Sequence, residues 1–181
     1  MKDYKFFMNF LMESEIIVDK PKIEYIHMLD IEKDFQSGKY FKALMHLSCL
    51  IESNLYQLLL KKLPESPKNF KANQIKRMQN LSLKLLIDWA SGEPIPKNKN
   101  LVCYPCKWDV PPINDEEKLI LNNLKEIRND IAHVSFLTYD ENLRKEIVKK
   151  IIDDVAPVHN KLIKEIIKIT NEKSKPKNTS Q

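Results

Sequence analysis

Residues 39–63 carry leucine or isoleucine at every third or fourth position, and this repeat limits the possible folds more than any other feature of the chain. Side chains at that spacing lie on one face of an α-helix. Gly38 precedes the stretch, and Pro64 and Pro67 follow it, so residues that end helices bound it on both sides. The sequence therefore predicts a long helix that buries one face. The repeating residues are Leu44, Leu47, Ile51, Leu55 and Leu58.

Other stretches have helical spacing too, and the chain contains only two glycines, which favours long helices over sheets with glycine-rich turns. Asn114, with Glu117 three residues later, and Asp140 are the predicted N-terminal caps of the last two helices. Pro157 is expected to kink the last helix or split it in two. The further predicted helices cover residues 1–19, 23–35, 73–89, 114–133 and 141–170.

These patterns predict an all-α fold, an antiparallel helical bundle of four to six helices with a long Pro-rich loop at residues 91–112. A length of 181 residues fits one domain. We expect that domain to cover residues 1–170 and to be followed by a disordered polar tail at residues 171–181.

The positive charge of the chain is concentrated in its middle. Residues 61–107 contain ten basic and three acidic residues, although the whole chain carries a net charge of only +5. This block is either a surface that meets phosphate or a solvated, lysine-rich surface. Its single arginine is Arg77, and arginine is the better bidentate partner for phosphate. Lys76, Arg77 and Lys125 are the candidate RNA-binding residues.

The cysteines and the hydropathy indicate a reducing, cytoplasmic location without a membrane segment. No apolar run approaches the length of a membrane span, and the apolar start of the chain has no cleavage site. Cys103 and Cys106 have the spacing of half a zinc site, but a structural zinc site needs four ligands and no second cysteine pair exists, although His133 or His159 could contribute. Two reduced thiols on a loop are the simpler interpretation. We expect no metal and no cofactor.

The helix at residues 114–133 ends in Arg128-Asn129-Asp130-Ile131-Ala132-His133. Asn129 and His133 are four residues apart and share a helix face, whereas Arg128 lies about 140° from His133. Arg128 and His133 can therefore act on one point only if the helix ends or distorts near Ala132, or if two copies of the chain face each other. The simpler interpretation is that these polar residues cap the helix.

This motif resembles the signature of HEPN domains (higher eukaryote and prokaryote nucleotide-binding), an Arg followed after four to six residues by a His. The resemblance covers residues 37–171 as helix pattern plus motif. It implies a metal-independent endoribonuclease that acts as a homodimer, leaves a 2′,3′-cyclic phosphate and uses Arg128, Asn129 and His133 as catalytic residues. Glu52 and Asp130 are candidate supporting residues. Glu52 would pair with Arg128 or His133, or simply lie partly exposed on its helix.

The family resemblance also implies RNA as substrate, a role in toxicity or antiviral defence, and an antitoxin or other regulatory protein as partner. Some toxins of the family that pair with nucleotidyltransferase antitoxins carry a tyrosine two residues after the motif histidine. Ser135 occupies that position here, which argues against this particular pairing. The alternative function is a non-catalytic helical module that binds RNA, nucleotide or a protein.

Overall fold

The structure is a computed structural model that describes residues 21–64, 80–97, 101, 104–132 and 139–174, excluding the side chains of residues 21–27, 131–132 and 173–174. The described residues form five α-helices and no strand, which confirms the predicted all-α class and its helical-bundle character. The helices are α1 (Pro21–Gln36), α2 (Tyr40–Lys61), α3 (Leu83–Ala90), α4 (Asp115–Ala132) and α5 (Glu141–Ser174). The predicted helix at residues 1–19 lies outside the described residues.

The chain divides into two compact units. Unit 1 comprises Met1–Ser53 and Asn123–Val155, and unit 2 comprises Asn54–Asn122 and Ala156–Gln181. The prediction of a single domain over residues 1–170 stays a prediction.

Each unit has its own buried apolar residues, and the leucine and isoleucine repeat of α2 contributes to both. All five residues of that repeat are at most 1% exposed, which confirms the predicted buried face. Leu44, Leu47 and Ile51 belong to unit 1, and Leu55 and Leu58 belong to unit 2. The unit 1 core includes Ile31, Ala43, Leu124, Val148, Ile151, Ile152 and Val155, and the unit 2 core includes Leu59, Leu86, Ile87, Ile113, Leu121, Val158, Leu162 and Ile166.

Both glycines of the chain end helices. Gly38 follows α1 with φ of 71°, and Gly92 follows α3 with φ of 103°. The amide after each glycine donates to the carbonyl five residues back, at 2.9 Å for Asp34 and 3.0 Å for Asp88. This is the Schellman motif, in which a residue in the left-handed region satisfies the last carbonyls of a helix. Glycine is favoured there because it has no Cβ.

The capping predictions for α4 and α5 are confirmed. The Asn114 side chain accepts from the amide of Glu117, whose carboxylate accepts from the amide of Asn114, both at 2.8 Å. Asp140 accepts from the amide of Leu143 at 2.9 Å. These bonds satisfy amides that have no partner inside the helix, so α4 and α5 begin at defined residues.

Some predicted helix limits differ from those in the structure. The helix predicted over residues 73–89 is interrupted, because residues 80–82 are not helical and α3 begins at Leu83, where Ser82 is the N-cap and accepts from the amide of Leu85 at 3.4 Å. The predicted part at residues 73–79 lies outside the described residues. Of the two outcomes predicted for Pro157, the split does not occur, because α5 runs continuously for 34 residues, and the kink stays a prediction. Proline removes one helical hydrogen bond there, but the buried Val155 and Val158 on either side keep their packing. The helix also extends to Ser174, four residues into the segment predicted to be a tail.

Candidate functional site

The last two turns of α4 carry the described part of the signature. Arg128 is partly buried, with 32% of its side chain exposed. Asn129 and Asp130 are exposed. His133 lies outside the described residues, so its predicted position relative to Asn129 and Arg128 stays a prediction. The described part of the motif thus consists of the partly buried Arg128 and the exposed Asn129 and Asp130.

Glu52 of α2 lies next to Arg128 within unit 1. Nη1 of Arg128 donates to Oε2 of Glu52 at 3.2 Å, and only 18% of the Glu52 side chain is exposed. The structure thus brings together two of the predicted site residues that are 76 positions apart in the chain. Glu52 therefore pairs with Arg128, as one of the two sequence interpretations expected, and it is also partly exposed, as the other expected.

The ion pair leaves Arg128 able to bind a further anion. A guanidinium has five N–H donors, and within the described residues the side chain of Arg128 donates only to Glu52. The charge of arginine persists at all physiological pH values, so the exposed part of the group remains a cation. Glu52 holds one edge of the planar guanidinium group, and the remaining N–H groups can donate hydrogen bonds to two oxygens of one phosphate.

Cys49 lies one helical turn before Glu52 on α2, and its surroundings disfavour the thiolate form. Burial raises the pKa of Cys49, the positive charge of Arg128 lowers that pKa, and the negative charge of Glu52 raises it. A raised pKa leaves little thiolate at neutral pH, and the thiolate is the nucleophilic form. Cys49 is therefore a small apolar neighbour of the ion pair.

The candidate RNA-binding residues are only partly described. Nζ of Lys125 lies 2.6 Å from the carboxylate of Glu126, so its charge is locally balanced. Lys76 and Arg77 lie outside the described residues, as does Cys103. Cys106 is a free, exposed thiol. No group of three or more His, Cys, Asp or Glu side chains within the described ranges could hold a metal ion.

A charged cluster that sequence reasoning missed joins the end of α1 to α2 in unit 1. Nζ of Lys42 donates to Oδ1 of the buried Asp34 at 3.0 Å, and this bond is the main reason that the pKa of Asp34 is lowered. Nδ1 of His46 lies 3.2 Å from Oδ2, but Oδ2 accepts no hydrogen bond from the described residues. The spacing of Lys42 and His46 on one helix face was visible in the sequence, whereas their proximity to Asp34 was not.

A second missed pair is buried in unit 2. Nδ2 of Asn54 lies 2.8 Å from Nδ1 of His159 in a side-chain hydrogen bond, and both residues are at most 3% exposed. The two residues are 105 positions apart in sequence, and their burial makes the pair inaccessible to a macromolecular substrate.

Comparison with known proteins identifies no relative of this chain. No family model, curated protein or solved structure matches it. None of the helices within the described ranges combines the length and apolar character needed to cross a membrane. The described residues define an all-α fold in which Arg128 of α4 forms a partly buried ion pair with Glu52 of α2.

Proposed function

We propose that this chain is a metal-independent endoribonuclease of HEPN type that acts in the cytoplasm as a homodimer, in a toxin or antiviral defence role. Its site would combine Arg128, Asn129 and His133, with Glu52 as the residue that positions Arg128. The observation that carries the proposal is the Arg128–Glu52 contact of 3.2 Å, because it holds a permanent cation in a fixed orientation on the signature helix.

Held in this way, Arg128 suits a phosphate that gains negative charge in the transition state. A preorganised donor is worth more than a mobile one because it does not have to be reoriented during the reaction. Asn129, which is exposed on the next position of α4, would hydrogen-bond the phosphate or orient His133. Asp130 is also exposed and would affect the site only through its charge.

The proposed reaction uses the 2′-hydroxyl of RNA as the nucleophile. A base takes the proton of that hydroxyl while the 2′-oxygen bonds to phosphorus. The bond from phosphorus to the 5′-oxygen breaks, and an acid gives that leaving oxygen a proton. The products are a 2′,3′-cyclic phosphate and a 5′-hydroxyl. His133 can take either role, since the ordinary pKa of histidine lies near neutrality. Two motifs in a homodimer would supply both roles.

The proposal is tested by incubating labelled single-stranded RNA with the purified protein, with and without EDTA. We expect cleavage in both conditions, with cyclic phosphate ends on the products. Arg128→Lys retains the charge but lacks the planar fork, so we expect its cleavage rate to fall by about a hundredfold. RNA that is retarded in a gel but stays intact would reject catalysis and favour the non-catalytic binding module. Cleavage that requires a divalent ion would reject the metal-independent mechanism.

A further inference from the structure

Four lysines of unit 2 form a basic surface. This lysine surface consists of Lys61, Lys62, Lys97 and Lys107. Lys97 and Lys107 are exposed, and Lys61 and Lys62 are partly exposed. None of the four forms an ion pair with a described residue, whereas Lys118 of the same unit pairs with Asp88 and Glu93.

Two hydrogen bonds bring these lysines together from three parts of the chain. The amide of Cys106 donates to the carbonyl of Lys62 at 2.9 Å, which places Lys107 beside the end of α2. The hydroxyl of Tyr104 donates to the carbonyl of Lys97 at 2.8 Å, which places Lys97 beside the same loop. The Pro-rich connection is thus attached to the end of α2 in a way that concentrates positive charge.

Aromatic side chains hold this surface in place. Nζ of Lys62 lies 4.5 Å from the ring centroid of Trp108, and Trp108 packs against Trp89 with a centroid distance of 4.9 Å. A cation held over a ring loses less side-chain entropy when it binds a phosphate. The ring of Tyr104 is half-buried, and its hydroxyl is tied to the backbone, so its position is also constrained.

We infer that the lysine surface, together with the ring of Tyr104, binds single-stranded RNA along its backbone. Lysines contact successive phosphates, and an aromatic ring with a fixed position stacks on an unpaired base. An RNA duplex would offer phosphates but no free base. That the bound polyanion is RNA rests on the proposed function. The arrangement of the four lysines is independent of that function.

The test measures the binding of a fluorescent 2′-O-methyl RNA oligonucleotide by anisotropy over a series of KCl concentrations in EDTA. This probe lacks the 2′-hydroxyl, so the proposed reaction cannot consume it. The variant Lys62→Gln/Lys97→Gln/Lys107→Gln should bind about tenfold more weakly or worse, and its salt slope should fall by about 2, at about 0.7 for each lost phosphate contact.

The matched control is Lys145→Gln/Lys149→Gln/Lys150→Gln, which removes the same charge from α5 in unit 1. We expect its affinity to stay near that of the parent. Equal weakening by both triple variants would show that only net charge matters and would overturn the inference. Parent-like binding by the first variant would also overturn it, as would tighter binding to duplex RNA or to anionic lipid vesicles than to the single strand.

Stacking is tested separately with two variants of Tyr104, each checked for folding by circular dichroism. Tyr104→Ala should weaken binding about fivefold or more, because one base loses its ring partner. Tyr104→Phe keeps the ring and should bind like the parent. If both variants bind like the parent, the stacking part of the inference is wrong.

Failure of this inference can be distinguished from failure of the proposed function. If the parent binds the 2′-O-methyl RNA through the lysine surface but leaves unmodified RNA intact, the inference stands and the ribonuclease proposal fails. If the lysine variant cleaves RNA with unchanged KM and kcat, the inference fails and the ribonuclease proposal stands. If the inference and the ribonuclease proposal are both correct, the triple lysine variant should have a higher KM for RNA and a kcat near that of the parent.

Discussion

Removing either charge of the Arg128–Glu52 pair should destabilise the protein, and removing both should cost less than the sum of the two single changes. The perturbations are Glu52→Gln, Arg128→Gln and the double variant. At the observed 3.2 Å, unit charges attract by about 1 kcal/mol in water and by about 5 kcal/mol at an effective dielectric constant of 20. Loss of hydration and of side-chain freedom offsets most of that attraction.

The partial burial of the pair determines the expected net coupling. Exposed pairs are worth about 0.2–1 kcal/mol, and here only 18% of Glu52 and 32% of Arg128 remain exposed. We therefore expect a coupling free energy of about 1 kcal/mol, at or above the top of that range. Urea unfolding of the four proteins, followed by circular dichroism, measures it as the non-additive part of the unfolding free energies.

An exposed pair on α5 provides the control. Lys150 and Asp154 are 2.7 Å apart and four residues apart on one helix, so their coupling should be about 0.3–0.5 kcal/mol. Raising the salt concentration should weaken the control pair more, because exposed charges are better screened. A coupling for Arg128 and Glu52 no larger than that of the control would refute the argument that Glu52 holds Arg128.

Three further predictions test other local contacts. Asn114→Ala should cost about 1 kcal/mol of stability in urea unfolding, because α4 loses its side-chain cap, and an unchanged midpoint would contradict the cap. The pKa of Asp34 is lowered from its ordinary value of 3.8, mainly by the hydrogen bond from Lys42, so its ionised form stabilises the folded state above that value. That contribution is lost as the pH falls through the folded-state pKa. Asp34→Asn should therefore flatten the acid limb of a curve of unfolding free energy against pH. An unaltered acid limb would contradict the contribution of Asp34. Cys49, whose pKa is raised by burial, should react with iodoacetamide more slowly than the exposed Cys106 in a time course followed by mass spectrometry, and equal rates would contradict its burial.

Local patterns in the sequence predicted the helices and several of their ends. The spacing from Leu44 to Leu58 identified the buried face of α2, and Asn114 with Glu117 identified the start of α4. These features depend on residues within a few positions of one another, where helical geometry leaves few alternatives. Ser82 was an equally local N-cap signal, but the apolar spacing before it suggested a longer helix.

Contacts between distant parts of the chain could not be predicted in the same way. Glu52 was a candidate partner of Arg128, but only the packing of α2 with α4 decides whether they meet. Asn54 and His159 form a buried pair that no spacing in the sequence indicates. Pro157 stays within α5 because tertiary burial on both sides outweighs one missing hydrogen bond, and intrinsic propensity does not measure that burial.

The most direct measurement of the central claim is the rate at which His133→Ala cleaves single-stranded RNA in EDTA, compared with the parent protein. His46→Ala is the matched control, since it removes an imidazole that lies beside Asp34 and has no part in the proposed reaction. General acid–base catalysis by one side chain contributes about 10²–10⁴-fold to a rate. The proposal predicts a loss of that size for His133→Ala and a nearly unchanged rate for His46→Ala. Equal cleavage by His133→Ala and the parent would contradict it.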